Sequence, residues 1–183
     1  MPARQTEAIV LRTYPLKEAD KIVSLFSRDM GKVRGVARGA RRPKNRFGAA
    51  LEPMSHVRVW LYERETRDLL QIDNCELVES FFDLQQDYSS GVAVAYLTEV
   101  TEQLMPEHQP QDAFFRLLLV ALQEIRRQGS VWGALTYFDL WAVRLGGFLP
   151  DLAKAPLEDS SRALAAEMLA TSLAALPKRE WSK

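Results

Sequence analysis

Cysteine is almost missing from this chain: Cys75 stands alone. That excludes an internal disulfide and a cysteine-built zinc site, and it fits a reducing cytosol. Histidine is nearly as scarce. His56 and His108 fall at the start of an expected strand and in a proline-flanked loop, and neither has a spaced carboxylate or cysteine partner for a triad or a metal centre. No Gly-rich phosphate loop of the GxxxxGKS/T kind occurs, and GVARGA has neither the spacing nor the helix of a dinucleotide fingerprint. Long apolar runs are missing too: Leu117 to Leu122 is far too short to cross a bilayer. The opening MPARQTEAIVLRTYP has no secretory apolar core. A metal-dependent nuclease needs a carboxylate cluster, and the acids between residues 73 and 87 read as a solvated edge. The expectation is a cytosolic protein without enzymatic chemistry, cofactor, metal or membrane segment.

Net charge is absent only as a sum. The 24 basic and 24 acidic residues cancel, but residues 1–50 hold 12 Lys or Arg against 4 Asp or Glu, a balance of +8. Residues 51–183 hold 12 against 20, a balance of −8. Such asymmetry predicts a basic surface for a polyanion on a neutral or acidic body.

The 183 residues suffice for a real core, in one domain or two. Strands are expected at Thr6–Thr13, before the turn-prone Tyr14-Pro15, at Asp20–Ser27, at Lys32–Ala40, at His56–Glu63 and at Leu69–Glu79. Gly31 supplies the positive φ of a hairpin, and Gly35 and Gly39 suit a bent or bulged third strand. In the fourth, Val57, Val59 and Leu61 share one face, while Arg58, Trp60 and Tyr62 share the other. Helical spacing follows at Gly91–Leu104, in a segment that Asp112 can cap and Gly129 ends, after the cap Ser130 up to Gly146-Gly147, and at Ser160–Leu176. Strands first and helices after, without alternation, predict an α+β chain by parts. Residues 1–80 form a five-stranded OB-fold β-barrel and residues 81–183 an all-α helical domain, the boundary falling near Phe81–Tyr88.

The strongest functional signal is the run from Arg28 to Arg46. It carries Arg28, Lys32, Arg34, Arg38, Arg41, Arg42, Lys44 and Arg46, with Asp29 the only acid. Interleaved Gly and Ala let a phosphodiester backbone approach closely, and each phosphate neutralised releases counterions. Lys32, Arg34, Arg38, Arg41, Arg42, Lys44 and Arg46 are therefore the expected nucleic-acid contacts, with Phe47 the best base-stacking candidate. Trp60 and Tyr62 are equally consistent with stacking and with packing against the helical half. A solvated charge run is the bland alternative. For a protein partner, the cations available in the helical half are Arg116, Arg126, Arg127 and Arg144, and an adaptor with incidental DNA contact is the competing functional reading.

Several stretches together resemble the RecO family of bacterial recombination mediators: EAIVLRTYPLKEADKIVSLFSRDMGKVRGVARGARRPKNRFGAALEPM (Glu7 to Met54), the following VRVWLY, and GGFLPDL (Gly146 to Leu152). The resemblance implies an OB-fold, a helical domain and no active site. It also implies binding and annealing of single-stranded DNA, contact with the C-terminal tail of single-strand-binding protein, and cooperation with RecR in loading RecA, in the bacterial cytoplasm at the nucleoid. Many members of that family carry two CxxC pairs in a zinc module just past this segment. Here AKAPLEDSS stands in that place, so no zinc is expected. The chain ends at LPKREWSK, where members of that family continue into a further basic helix, and a C-terminally shortened member is the expectation.

Overall fold

Period-two alternation through the first eighty residues is realised as a barrel. The computed structural model describes residues 4–62, 69–127 and 130–148. Its strands β1 (Arg4–Leu16), β2 (Asp20–Ser27), β3 (Gly31–Ala37), β4 (His56–Tyr62) and β5 (Leu70–Glu79) close in the order β1-β2-β3-β5-β4. All neighbours are antiparallel except β3 and β5, which run parallel over Gly35–Ala37 and Leu70–Ile72. Ala8, Val10, Val23, Leu25, Val33, Ala37, Val57, Val59, Leu61 and Ile72 point inward as one buried cluster. A 3-10 turn at Gly48–Leu51 adds Ala50 and Leu51 to that cluster.

The expected bend or bulge at Gly35 is not found, and β3 runs unbroken from Gly31 to Ala37. What Gly35 provides is space: a Cβ there would lie 2.7 Å from Cγ1 of Ile72, where β3 meets β5. The register shifts lie in β1, between Val10 and Arg12, and in the β4–β5 pairing. Strand β1 also runs on past the expected turn at Tyr14-Pro15. Its second edge is paired to β4 only from Arg4 to Ile9, so Pro15 loses no ladder bond on that side.

Helices α1 (Tyr88–Leu104), α2 (Asp112–Arg126) and α3 (Val131–Leu145) follow a 3-10 turn at Phe82–Gln86. Asp87 caps α1 by accepting from the Ser90 amide, and Ser130 caps α3 by accepting from the Gly133 amide. Asp112 is not a cap. Gln111 holds that position and Asp112 is the first helical residue, which frees its carboxylate for Arg28 and Arg116. The expected helix at 160–176 lies outside the described residues. No helix of the described residues is long and apolar enough to cross a membrane.

The helices do not build a core apart from the barrel. Ile9, Leu11, Phe26 and Met54 emerge from the barrel's outer side into one cluster with Phe81, Leu97, Phe114, Phe115, Leu118, Leu122 and Phe138. Phe26 meets Phe114 edge-on at 5.8 Å between ring centroids, and Phe114 meets Phe138 at 5.6 Å. Each such ring contributes about 1.5–3 kcal/mol by burial, so this shared apolar layer fixes the helices on the barrel.

Candidate nucleic-acid interface

Register assigns the paired outward side chains of the β1-β2-β3 meander to rows, because directly paired residues share a face. The first row is Ile9–Phe26–Lys32, and its two apolar members are buried in the layer shared with the helices. The second is Arg12–Ser24–Arg34. The third is Tyr14–Ile22–Val36, and Val36 pairs onward with Gln71 of β5. At the turn end lie Leu16, paired with Asp20, and the exposed Arg38 just past β3.

Acids from α1 and the α1–α2 loop meet the cations of the first two rows. Arg12 pairs with Glu99. Ser24 donates to Glu102 at 2.6 Å, and Lys32 Nζ donates to the Glu102 carbonyl at 2.6 Å with the Glu102 carboxylate 3.9 Å away. Arg34 lies 3.6 Å from Glu107, whose loop also donates a 3.0 Å bond from the His108 amide to the Lys32 carbonyl. At the edge of the same interface Arg28 bonds Asp112 at 2.6 Å and lies 3.4 Å from Glu7. Asp112 holds the Arg28 guanidinium above its ordinary pKa, with a smaller contribution from Glu7.

Beyond the reach of α1 the cations stand differently. Arg38, Arg41, Arg42, Lys44 and Arg46 are all exposed. Among the described residues Arg38, Arg42 and Lys44 have no carboxylate within ion-pair distance, while Arg46 lies 3.8 Å from Asp73. The segment carrying them is held by its own hydrogen bonds. The Gly39 amide donates to Asp20 at 2.8 Å, the Arg41 amide to the Ala19 carbonyl at 2.9 Å, and the Arg41 guanidinium to the Lys17 carbonyl at 3.0 Å. Asn45 Oδ1 accepts from the amides of Phe47 and Gly48, each at 3.0 Å. Less ordering entropy then opposes binding when a polyanion arrives.

Two of the expected contacts are corrected. Lys32 is only 8% exposed, and its ammonium serves the joint to α1. Phe47 is 3% exposed: the Asn45 turn directs its ring into the barrel core, with the Arg46 guanidinium 5.0 Å from the ring centroid. Phe47 therefore offers no face to a base. Trp60 and Tyr62 lie half-buried on the outer face of β4, a strand separated from β2 by β1 and from β3 by β5. The aromatic residue that sequence reasoning missed is Tyr14, 47% exposed in the third row.

The four helical cations do not form one site. Arg126 ties α2 to the end of β5, pairing with Glu79, donating to the Ser80 carbonyl at 2.8 Å and lying over the Phe81 ring. That corrects its reading as a partner contact. Arg116 pairs with Asp112 and Arg127 with Glu124, about 16 Å apart along α2 at 1.5 Å per residue. Arg144 lies over the Trp141 ring at 4.9 Å. Among the described residues no group of His, Cys, Asp and Glu could hold a metal ion. Cys75 is buried and its thiol is pushed up to about 12 by desolvation, so it is not a thiolate nucleophile at neutral pH.

Comparison with known proteins agrees with this architecture. The family models described as Recombination protein O N terminal and Recombination protein O C terminal match residues 1–81 and 85–176. A DNA repair protein RecO of Koribacter versatilis is 50% identical over 149 residues, covering 81% of this chain and 61% of the relative. The DNA repair protein RecO of Symbiobacterium thermophilum is 39% identical over 161 residues, covering 84% and 60%. That of Anaeromyxobacter dehalogenans is 35% identical over 152 residues, covering 83% and 60%. The chain thus spans about three-fifths of the length of these curated relatives.

Proposed function

This chain belongs to the RecO family, and from that premise we propose that it is a DNA repair and recombination mediator that binds and anneals single-stranded DNA without enzymatic chemistry. The grip consists of Arg34, Arg38, Arg41, Arg42, Lys44 and Arg46, with Arg34 at its shared margin against Glu107. The observation that carries this reading is the hydrogen-bonded segment from Gly39 to Gly48, which presents exposed cations beside a barrel strand. Phosphates of either strand exchange counterions for these groups, which lowers repulsion between complementary strands as they pair. Neither a nucleotide nor a metal takes part. In the cytoplasm, at the nucleoid, the protein acts with RecR to load RecA onto DNA coated with single-strand-binding protein. The tail of that protein and RecR are the partners, with Arg116, Arg127 and Arg144 as the helical half's remaining contacts.

Fluorescence anisotropy with a labelled single strand across a salt series tests the grip. In the Arg38→Ala, Arg41→Ala, Arg42→Ala triple variant, the slope of log affinity against log salt falls by about 2, at roughly 0.7 per phosphate contact for single strands. An unchanged slope and affinity would remove these residues from the interface.

A further inference from the structure

We propose that the outer row Tyr14–Ile22–Val36 is a base-stacking strip, and that a single strand lies on the barrel with its bases on this row and its phosphates toward Arg38, Arg41 and Arg42. The inference rests on the single-strand reading above and adds the part of the ligand that charge alone does not select.

The position of the strip follows from three observations. Tyr14 presents nearly half of its surface from the β1–β2 ladder, past its register shift and two pairs from its end, so its ring is carried on a paired strand. Ile22 and Val36 continue the row with half-buried aliphatic faces, and neighbouring strands are about 4.8 Å apart. The row is therefore wide enough for bases laid side by side along it. A cleft flanks it on each side: one of about 580 Å³ lined by Tyr14, Pro53, Gly91 and Ala95 among others, and one of about 450 Å³ lined by Val36, Lys17, Asp20, Arg38 and Leu70 among others.

Charge sets which way the strand faces. On the helical side of the strip, Arg12 and Arg34 each face a glutamate from α1 or its following loop, so a phosphate there competes with a carboxylate. On the other side, Lys17, Arg38, Arg41 and Arg42 are exposed, and none has a carboxylate within ion-pair distance among the described residues. Phosphates go to the side with unmatched cations, and the bases then fall over Tyr14. The indifference of an aromatic face to base identity makes the strip suit any sequence.

The test uses the full chain and two probes of equal length, an oligothymidylate and an oligonucleotide of abasic sites. The phosphates are the same in both, and only the first has bases. The expected result is that the wild-type protein prefers oligothymidylate by about tenfold or more, and that Tyr14→Ala removes about tenfold of that affinity. Abasic binding and the salt slope stay unchanged in that variant, and Tyr14→Trp restores the preference. Equal binding of both probes by the wild type, or a Tyr14→Ala loss shared equally by both, would overturn the stacking strip while leaving the phosphate grip intact. Absence of binding to either probe at low salt would overturn the single-strand reading and the strip with it.

Discussion

The two ends of the β1-β2-β3 outer face carry the same kind of side chain and do opposite things with it. Toward the helices, Arg12, Arg28 and Lys32 meet Glu99, Asp112 and Glu102 across a joint lined with Phe26, Phe114 and Phe115, and Arg34 stands at its margin against Glu107. Toward the β1–β2 turn, Arg38, Arg41, Arg42 and Lys44 face solvent. The excess of +8 in residues 1–50 therefore describes two populations, one cementing the two halves of the molecule and one open to a polyanion. A charge count adds them together; the position of α1 separates them.

Breaking the covered end at its apolar centre has the largest effect on the fold. Phe26→Ala is expected to cost about 3–5 kcal/mol, because the ring is fully buried between barrel and helices and the cavity it leaves is walled by strands on one side. Urea unfolding reads this directly as a drop in midpoint. A loss below about 1 kcal/mol would mean that the helices are not held by this layer.

Lys32→Ala sharpens the comparison, because its neighbour two residues along, Arg34, belongs to the proposed grip. Removing the ammonium leaves the Glu102 carbonyl without this donor and the largely buried Glu102 carboxylate with Ser24 but no counter-charge, at a cost of about 1–3 kcal/mol. Stability falls while the salt slope of DNA binding stays where it was. Arg38→Ala behaves in the reverse way: stability changes by less than about 0.5 kcal/mol and the slope drops by about 0.7. If Lys32→Ala also lowered the slope, the division between the two ends would be wrong.

Much of the fold was legible because the signals are local. Val57, Val59 and Leu61 alternate within seven residues, and Asp20–Ser27 is both the expected and the observed second strand. Ser130 as a cap needs only the next three residues to be recognised. The site was legible as a stretch of sequence and illegible residue by residue, for reasons of distance along the chain. Lys32 is bonded to a residue 70 positions away and Arg126 to one 47 positions away, so their commitments have no local trace. Phe47 looks exposed among cations, yet the Asn45 side chain turns the backbone so that the ring enters the core. Tyr14 was hidden by Pro15, which reads as the end of a strand. It stays in the ladder only because β1 is unpaired on its other edge there.

The smallest expected effect lies at the covered end and is revealed by pH. His56 begins β4 beneath α2, with Phe115 at 5.9 Å between ring centroids and the Glu7 carboxylate 3.6 Å from Nε2. Burial lowers its pKa below the ordinary 6.5, Glu7 and Glu79 pull it back up, and Arg28 reinforces the lowering. The folded protein thus holds the proton less tightly than the unfolded chain does. Well above pH 6.5 the ring is neutral in both states and adds no pH dependence. As the pH falls below 6.5 the unfolded chain is protonated first, so stability declines until the folded-state pKa is passed, where the loss levels off. His56→Gln removes that titration and leaves the Glu7–Arg28–Asp112 chain in place. Urea midpoints measured on either side of pH 6.5 should therefore fall less in the variant than in the wild type. Arg38, Arg41 and Arg42 at the open end take no part, so the triple variant should keep the wild-type pH profile of stability. A profile altered by the triple variant and untouched by His56→Gln would place the pH-sensitive joint at the wrong end of the sheet.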